Sequence, residues 1–171
     1  MSSIKEWMHP DLLEVQVSIY EPSKIVMTQY IQELESLKYG ACNFNLNNHR
    51  IKFRTAKITP TKMGQFVVLW KRIESGPILP FDLTDPFDFV IVSVRSSQRF
   101  GQFIFPKNIL YEKGVISKEG MGGKRAIRVY PPWDITDNQQ AQKTQNWQLL
   151  YFFEIDSNRS VDAISLQTMF L

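Results

Sequence analysis

Thr59-Pro60-Thr61-Lys62-Met63-Gly64 places two hydroxyls, an ammonium and backbone N–H groups on one short Pro- and Gly-marked turn. Donors gathered in this way suit phosphate oxygens. The turn sits inside a charge-sorted chain. From Ser36 to Arg72 there are eight Lys or Arg residues (Lys38, Arg50, Lys52, Arg54, Lys57, Lys62, Lys71, Arg72) and no Asp or Glu. Ile73 to Val94 reverses the sign with Glu74, Asp82, Asp85 and Asp88. Arg95 to Trp133 is basic again, with eight cations against Glu112 and Glu119. The net charge is only +3, so the sorting says more than the total. Basic stretches mixed with hydroxyl, amide and aromatic side chains suit a polyanion, of which nucleic acid is the commonest. The competing reading is a solvated basic surface.

A second basic stretch runs from Gly120 to Arg128. Gly122 and Gly123 let the backbone come close to a ligand, and Lys124, Arg125 and Arg128 supply charge. A flexible loop before a strand is the plainer alternative. A third group is Trp133, Gln145, Trp147 and Gln148. Such aromatics could stack on unpaired bases and such amides could read base edges. They could equally fill the core and cap backbone groups. Other chemistries lack their signatures. The Gly-x4-Gly-Lys-Ser/Thr phosphate loop is absent, as is the Gly-x-Ser-x-Gly nucleophile motif. One cysteine, Cys42, and two histidines, His9 and His49, make a zinc site unexpected and leave no internal disulfide.

The elements that must position these groups follow from periodicity. Composition is 43% apolar and 13% aromatic over 171 residues, enough for one well-packed domain spanning 1–171. No stretch approaches the ~18 apolar residues of a membrane span, and Met1 to Pro10 lacks a signal pattern. With a lone cysteine, these features lead us to expect a cytoplasmic protein. A short helix is expected near Pro10 to Val17. Met27, Tyr30, Ile31, Leu34 and Leu37 recur at helical spacing, which predicts a helix over 24–39, with Ser23 capping it and Gly40 ending it. Cys42–Leu46 and Ile51–Ala56 read as a hairpin around Asn47-Asn48. Gln65–Arg72 reads as a strand covered on both faces, because Phe66 to Trp70 is continuously apolar. A loop over 78–86, strands over 87–94 and 102–105, a short helix from Pro106 to Leu110 and a strand over 125–129 follow. A helix over about 137–153 carries Trp147, Leu150 and Tyr151 on one face. The tail from Val161 reads ambiguously. The order predicts an α/β fold, a mixed central sheet flanked by helices.

Several stretches together resemble the MepB-like family of small bacterial proteins. They are Phe53 to Phe66, Trp70-Lys71-Arg72, Gly101 to Lys107, Gly123 to Pro131, and Thr144 to Gln148. The resemblance spans about 23–155 and implies a restriction-endonuclease-like αβββαβ core. Such a site, where active, holds a divalent metal with carboxylates and keeps a lysine beside the attacking water. The resemblance would place its acids at Glu33 or Glu35 on the first helix and at Asp88 on the second core strand. The third strand reads Gln102-Phe103-Ile104, with Ile104 where the lysine belongs and Lys107 three residues further on. That departure implies lost cleavage.

The reading is therefore a nucleic-acid-binding protein with no cofactor. Arg54, Lys57, Thr59, Lys62, Lys71, Arg72, Lys124, Arg125 and Arg128 would contact phosphates. One alternative is a magnesium-dependent nuclease using Glu33 or Glu35, Asp88, Gln102 and Lys107. Another is a pocket for a small anionic or phosphorylated ligand. The sequence leaves the oligomeric state open.

Overall fold

Alternating burial organises the chain around one sheet with both faces covered. The computed structural model describes residues 4–156 and 163–170. The central sheet is built from β1 (Met27–Gln32), β2 (Cys42–Leu46), β3 (His49–Thr55), β8 (Phe89–Arg95), β9 (Phe100–Pro106) and β11 (Phe152–Glu154), in that order. Only β3 and β8 run parallel, so the sheet is mixed, as expected. A three-stranded antiparallel sheet joins β10 (Ala126–Val129), β5 (Gln65–Val68) and β4 (Lys57–Ile58). β6 (Trp70–Arg72) pairs with β7 (Ile78–Pro80).

Period-two alternation assigns the faces of the central sheet. Ile51, Phe53, Ile91 and Ile104 point to one core with Leu12, Val15, Ile19 and Phe44. Val90, Val92, Val94, Phe103 and Phe105 point to the other, with Val67, Leu69, Phe81, Leu110 and Val129. The first core is covered by α1 (Pro10–Val15), which continues as a π-helical stretch, Gln16–Tyr20. α2 (Lys107–Glu112) follows β9 directly, with Pro106 just before its first turn. α3 (Gln139–Gln148) starts at Asn138, whose Oδ1 accepts from Ala141 N at 2.8 Å. α4 (Ala163–Met169) delivers Leu166 and Phe170 to the first core, which settles the tail as helix in its described part.

The helix expected over 24–39 is a correction. The segment is the edge strand β1, an irregular turn and a 3-10 turn over Leu37–Tyr39. Lys24, Gln29 and Ser36 have positive φ, which a helix cannot absorb. The apolar stripe that suggested a helix is not buried: Ile31, Leu34 and Leu37 are exposed. Backbone pairing with β2 outweighed side-chain periodicity here, and the covering helix lies upstream at 10–20. The hairpin at Asn47-Asn48 is as read, with Asn47 at φ 53.

The run Gln65–Arg72 is two strands, because Leu69 breaks the pairing and its N–H turns to Arg125 O. The loop over 78–86 contains β7. The last helix is shorter than expected. It stops at Gln148, and a 3-10 turn leads to β11 on the sheet edge. The Phe152 ring lies so close to Gly101 that a Cβ there would fall 2.3 Å from Phe152 Cζ. Leu150, expected on the apolar face, is exposed.

Candidate functional site

Folding pairs the charge blocks that the sequence keeps apart. Asp88 accepts from Arg50 N at 2.7 Å and from its guanidinium at 3.1 Å. Lys71 Nζ donates to Asp85 at 2.7 Å, and Arg72 Nε to Glu35 at 2.9 Å. Glu33 takes two cations, Arg54 Nη2 at 2.8 Å and Lys52 Nζ at 3.4 Å. Arg54 is fully buried, with its guanidinium 5.5 Å from the Phe81 ring and Lys52 4.8 Å from the same ring. Burial, opposed by Glu33, pulls the Lys52 pKa down. Five cations of the first basic block thus have carboxylate counterions, and Arg54 cannot reach a ligand from inside the core. Lys57 lies 4.7 Å from the Tyr39 ring instead.

The same pairing decides what the candidate nuclease residues can do. Glu33 belongs to Lys52 and Arg54, Glu35 to Arg72, and Asp88 to Arg50, whose hydrogen bond to Asp88 holds that carboxyl below its usual range. Lys107 Nζ donates to Asp85 O and lies 4.7 Å from the Phe87 ring; burial pulls its pKa down. Gln102 is buried on β9 and alternates with Phe103 and Phe105, so it faces the first core. Lys52 and Arg54 alternate with Ile51 and Phe53, so Glu33 meets them on the opposite face. Asp88 and Lys107 are neighbours, with Lys107 N donating to Asp88 O at 3.0 Å, whereas Gln102 lies on the sheet face opposite to the one where Glu33 meets Lys52 and Arg54. Each of the three carboxylates has a cationic partner. Among the described residues no three His, Cys, Asp or Glu side chains gather as a metal site needs.

What the structure does bring together is a cleft of about 520 Å³. Its walls are the 61–63 turn, the end of α2 at Lys113, Lys124, the strand β10 and one face of α3. Lys62, Lys113 and Lys124 are exposed, and no ion pair to a described acid holds them. Asp137 is the one acid in the lining. Arg128, half-buried, anchors the turn. Its Nη1 donates to Met63 O at 3.1 Å and Gly64 O at 3.2 Å, and its Nη2 to Thr59 Oγ1 at 2.7 Å. Gly64 lets the turn lie on Tyr130: at φ +77, a Cβ would come 2.6 Å from Tyr130 Cε1. Lys62 is therefore presented by a turn fixed at both its base and its floor.

The Trp and Gln group divides by role. Gln148 donates to Arg128 O at 3.0 Å and accepts from Tyr130 N at 2.8 Å, so it satisfies the outer edge of β10. Gln145 is buried and donates to Pro131 O and Asp134 O. Trp133 packs on Phe152 beneath Arg99. Trp147 packs 5.5 Å from the buried Phe105, while Lys113 Nζ, of a residue that also lines the cleft, lies 5.7 Å from its ring. Of the residues singled out in sequence, the cleft collects Lys62, Lys124, Arg128, Trp147 and Gln148. Arg125 is exposed beside it, outside the lining. Sequence reading missed Lys113, Tyr130, Gln140 and Thr144. Gln140, Thr144 and Trp147 recur at helical spacing on α3, a polar stripe that could have been noticed.

A family model described as MepB-like matches residues 33–154, which takes in every stretch that carried the resemblance. Among solved structures the chain is similar to the crystal structure of MepB, at 31% identity and a TM-score of 0.75, over 87% of this chain and 99% of that one. It is also similar to a bacterial homing endonuclease, I-Ssp6803I, at 12% identity and a TM-score of 0.46, over 82% and 87% of the two chains. No curated protein matches. No described helix is long and apolar enough to cross a membrane.

Proposed function

The chain belongs to the MepB-like family, and we propose that it binds nucleic acid through the basic cleft without cleaving it. One observation carries the reading. Lys62, Lys113 and Lys124, from three separate parts of the chain and with no ion pair to a described acid, surround one hollow. Unneutralised ammonium groups held close together raise the local potential and attract a polyanion. A fixed turn adds backbone N–H groups and the Thr61 hydroxyl to the same rim. Arg128 acts as a positioning residue, because its donors are spent on Met63, Gly64 and Thr59. Arg125 at the margin supplies a fourth phosphate contact.

The placement of the carboxylates supports the loss of cleavage. Glu33, Glu35 and Asp88 each pair with an arginine, and a metal would have to compete with that pairing. The test is anisotropy of a labelled oligonucleotide against salt, with cleavage followed on the same material in magnesium and in chelator. Four phosphate contacts predict a log–log slope of about −3, a loss of about 60-fold in affinity between about 50 and 200 mM salt. Lys62→Ala with Lys124→Ala should halve that slope while leaving the fold intact. No retention of DNA or RNA at about 50 mM salt would overturn the proposal. Cleavage that disappears in Asp88→Ala and in Lys107→Ala would restore the nuclease reading.

A further inference from the structure

We infer that the cleft receives an unpaired nucleotide of a single strand rather than the backbone of a duplex; this rests on the binding role proposed above. The first reason is shape. Proteins that read a duplex push a helix or a two-stranded ribbon into a groove about 12 Å wide. Here the cations ring a hollow, and α3 forms a wall of the cleft. The hollow, about 520 Å³, lies within the roughly 300–1,000 Å³ typical of sites that enclose one small molecule. A base and sugar can enter it, whereas a duplex could touch only its rim.

The second reason is the chemistry of the wall. Trp147 and Tyr130 both line the cleft and both are half-buried. The indole packs 5.5 Å from the buried Phe105, and the exposed side chain of Lys113, which shares the cleft lining, lies 5.7 Å from the same ring. A lysine side chain is long and flexible, so a base can displace it from the ring and leave its ammonium to a phosphate. An aromatic wall below a cationic rim is the arrangement that holds single strands, with bases stacked and phosphates paired. A duplex keeps its bases stacked on each other and would gain nothing from Trp147.

The experiment uses the whole protein and two labelled probes at low salt, a thymidine 15-mer and a duplex of the same length, with anisotropy as the readout. The single strand should bind at least about tenfold more tightly, the worth of roughly one stacked base. Trp147→Leu should remove most of that preference and Trp147→Phe, which keeps a ring against Phe105, should retain it. Lys24→Ala with Lys38→Ala, exposed cations outside the cleft, should change nothing. A duplex bound as tightly as the single strand would overturn this inference and leave the binding role standing. A preference for single strands that survives in both Trp147→Leu and Lys62→Ala/Lys124→Ala would overturn the assignment to this cleft. Failure to retain either probe would remove the binding role and the inference together.

Discussion

Replacing Glu33 by alanine separates a structural carboxylate from a catalytic one. Among the described residues its carboxylate is the only acid on Arg54, which is fully buried and has a second bond to Phe53 O at 2.9 Å. The Arg54 Nε–H has no partner among the described residues. Without Glu33, the Arg54 guanidinium would be left without a carboxylate among the described residues, beside the largely buried Lys52 ammonium that shares the same Glu33 oxygen. Removing one partner from a buried ion pair costs about 3–5 kcal/mol, because the remaining charge stays desolvated. The Glu33 side chain is 22% exposed, so water relieves part of this and the lower end, about 3 kcal/mol, applies. For a chain of this size each kcal/mol moves the midpoint by about 2–4 °C, giving an expected fall of about 6–12 °C in a thermal scan. Glu35→Ala breaks a more open pair and should cost no more than about 1 kcal/mol. Arg54→Met added to Glu33→Ala should recover part of the loss, since it removes the stranded charge. A Glu33→Ala protein as stable as the wild type would refute this reasoning. With cleavage lost as well, it would return Glu33 to a catalytic role.

Two further perturbations test how the fold is set. Asp82 is buried and accepts from Ser117 Oγ at 2.6 Å, Thr84 Oγ1 at 2.7 Å and Gly120 N at 3.1 Å; these bonds hold its carboxyl well below the usual range. Because the folded state resists protonation more than the unfolded one, stability is present above about pH 4 and lost as pH falls below it. Thermal midpoints measured from about pH 6 down to about pH 2 should fall steeply in the wild type and less in Asp82→Asn, and parallel curves would count against it. At Gly101, alanine would meet Phe152 Cζ at 2.3 Å and Phe153 O at 2.9 Å. Overpacking of this kind costs about 1–3 kcal/mol, to be read in urea unfolding; no change would mean that β11 is not seated as described.

The sequence by itself determined what local rules can reach. The hairpin at Asn47-Asn48 follows from turn chemistry between two alternating runs, and β8 and β9 from short β-rich runs. The 61–63 turn, Lys124, Arg128, Trp147 and Gln148 were all marked from residue type, and all of them line one cleft. Tertiary structure decided the rest. Residues 24–39 carry a helical stripe, yet an edge of backbone donors on β2 claimed Met27–Gln32 as β1, because paired backbone groups outweigh a stripe left mostly exposed at Ile31, Leu34 and Leu37. The charge blocks looked like a binding surface because sequence distance hides which acid meets which base. Glu33 and Arg54 are 21 residues apart and 2.8 Å apart in space, and Arg50 meets Asp88 across 38 residues. Electrostatic pairing depends on distance through space alone, so only the folded chain could separate cations that hold the protein together from those left to face a ligand.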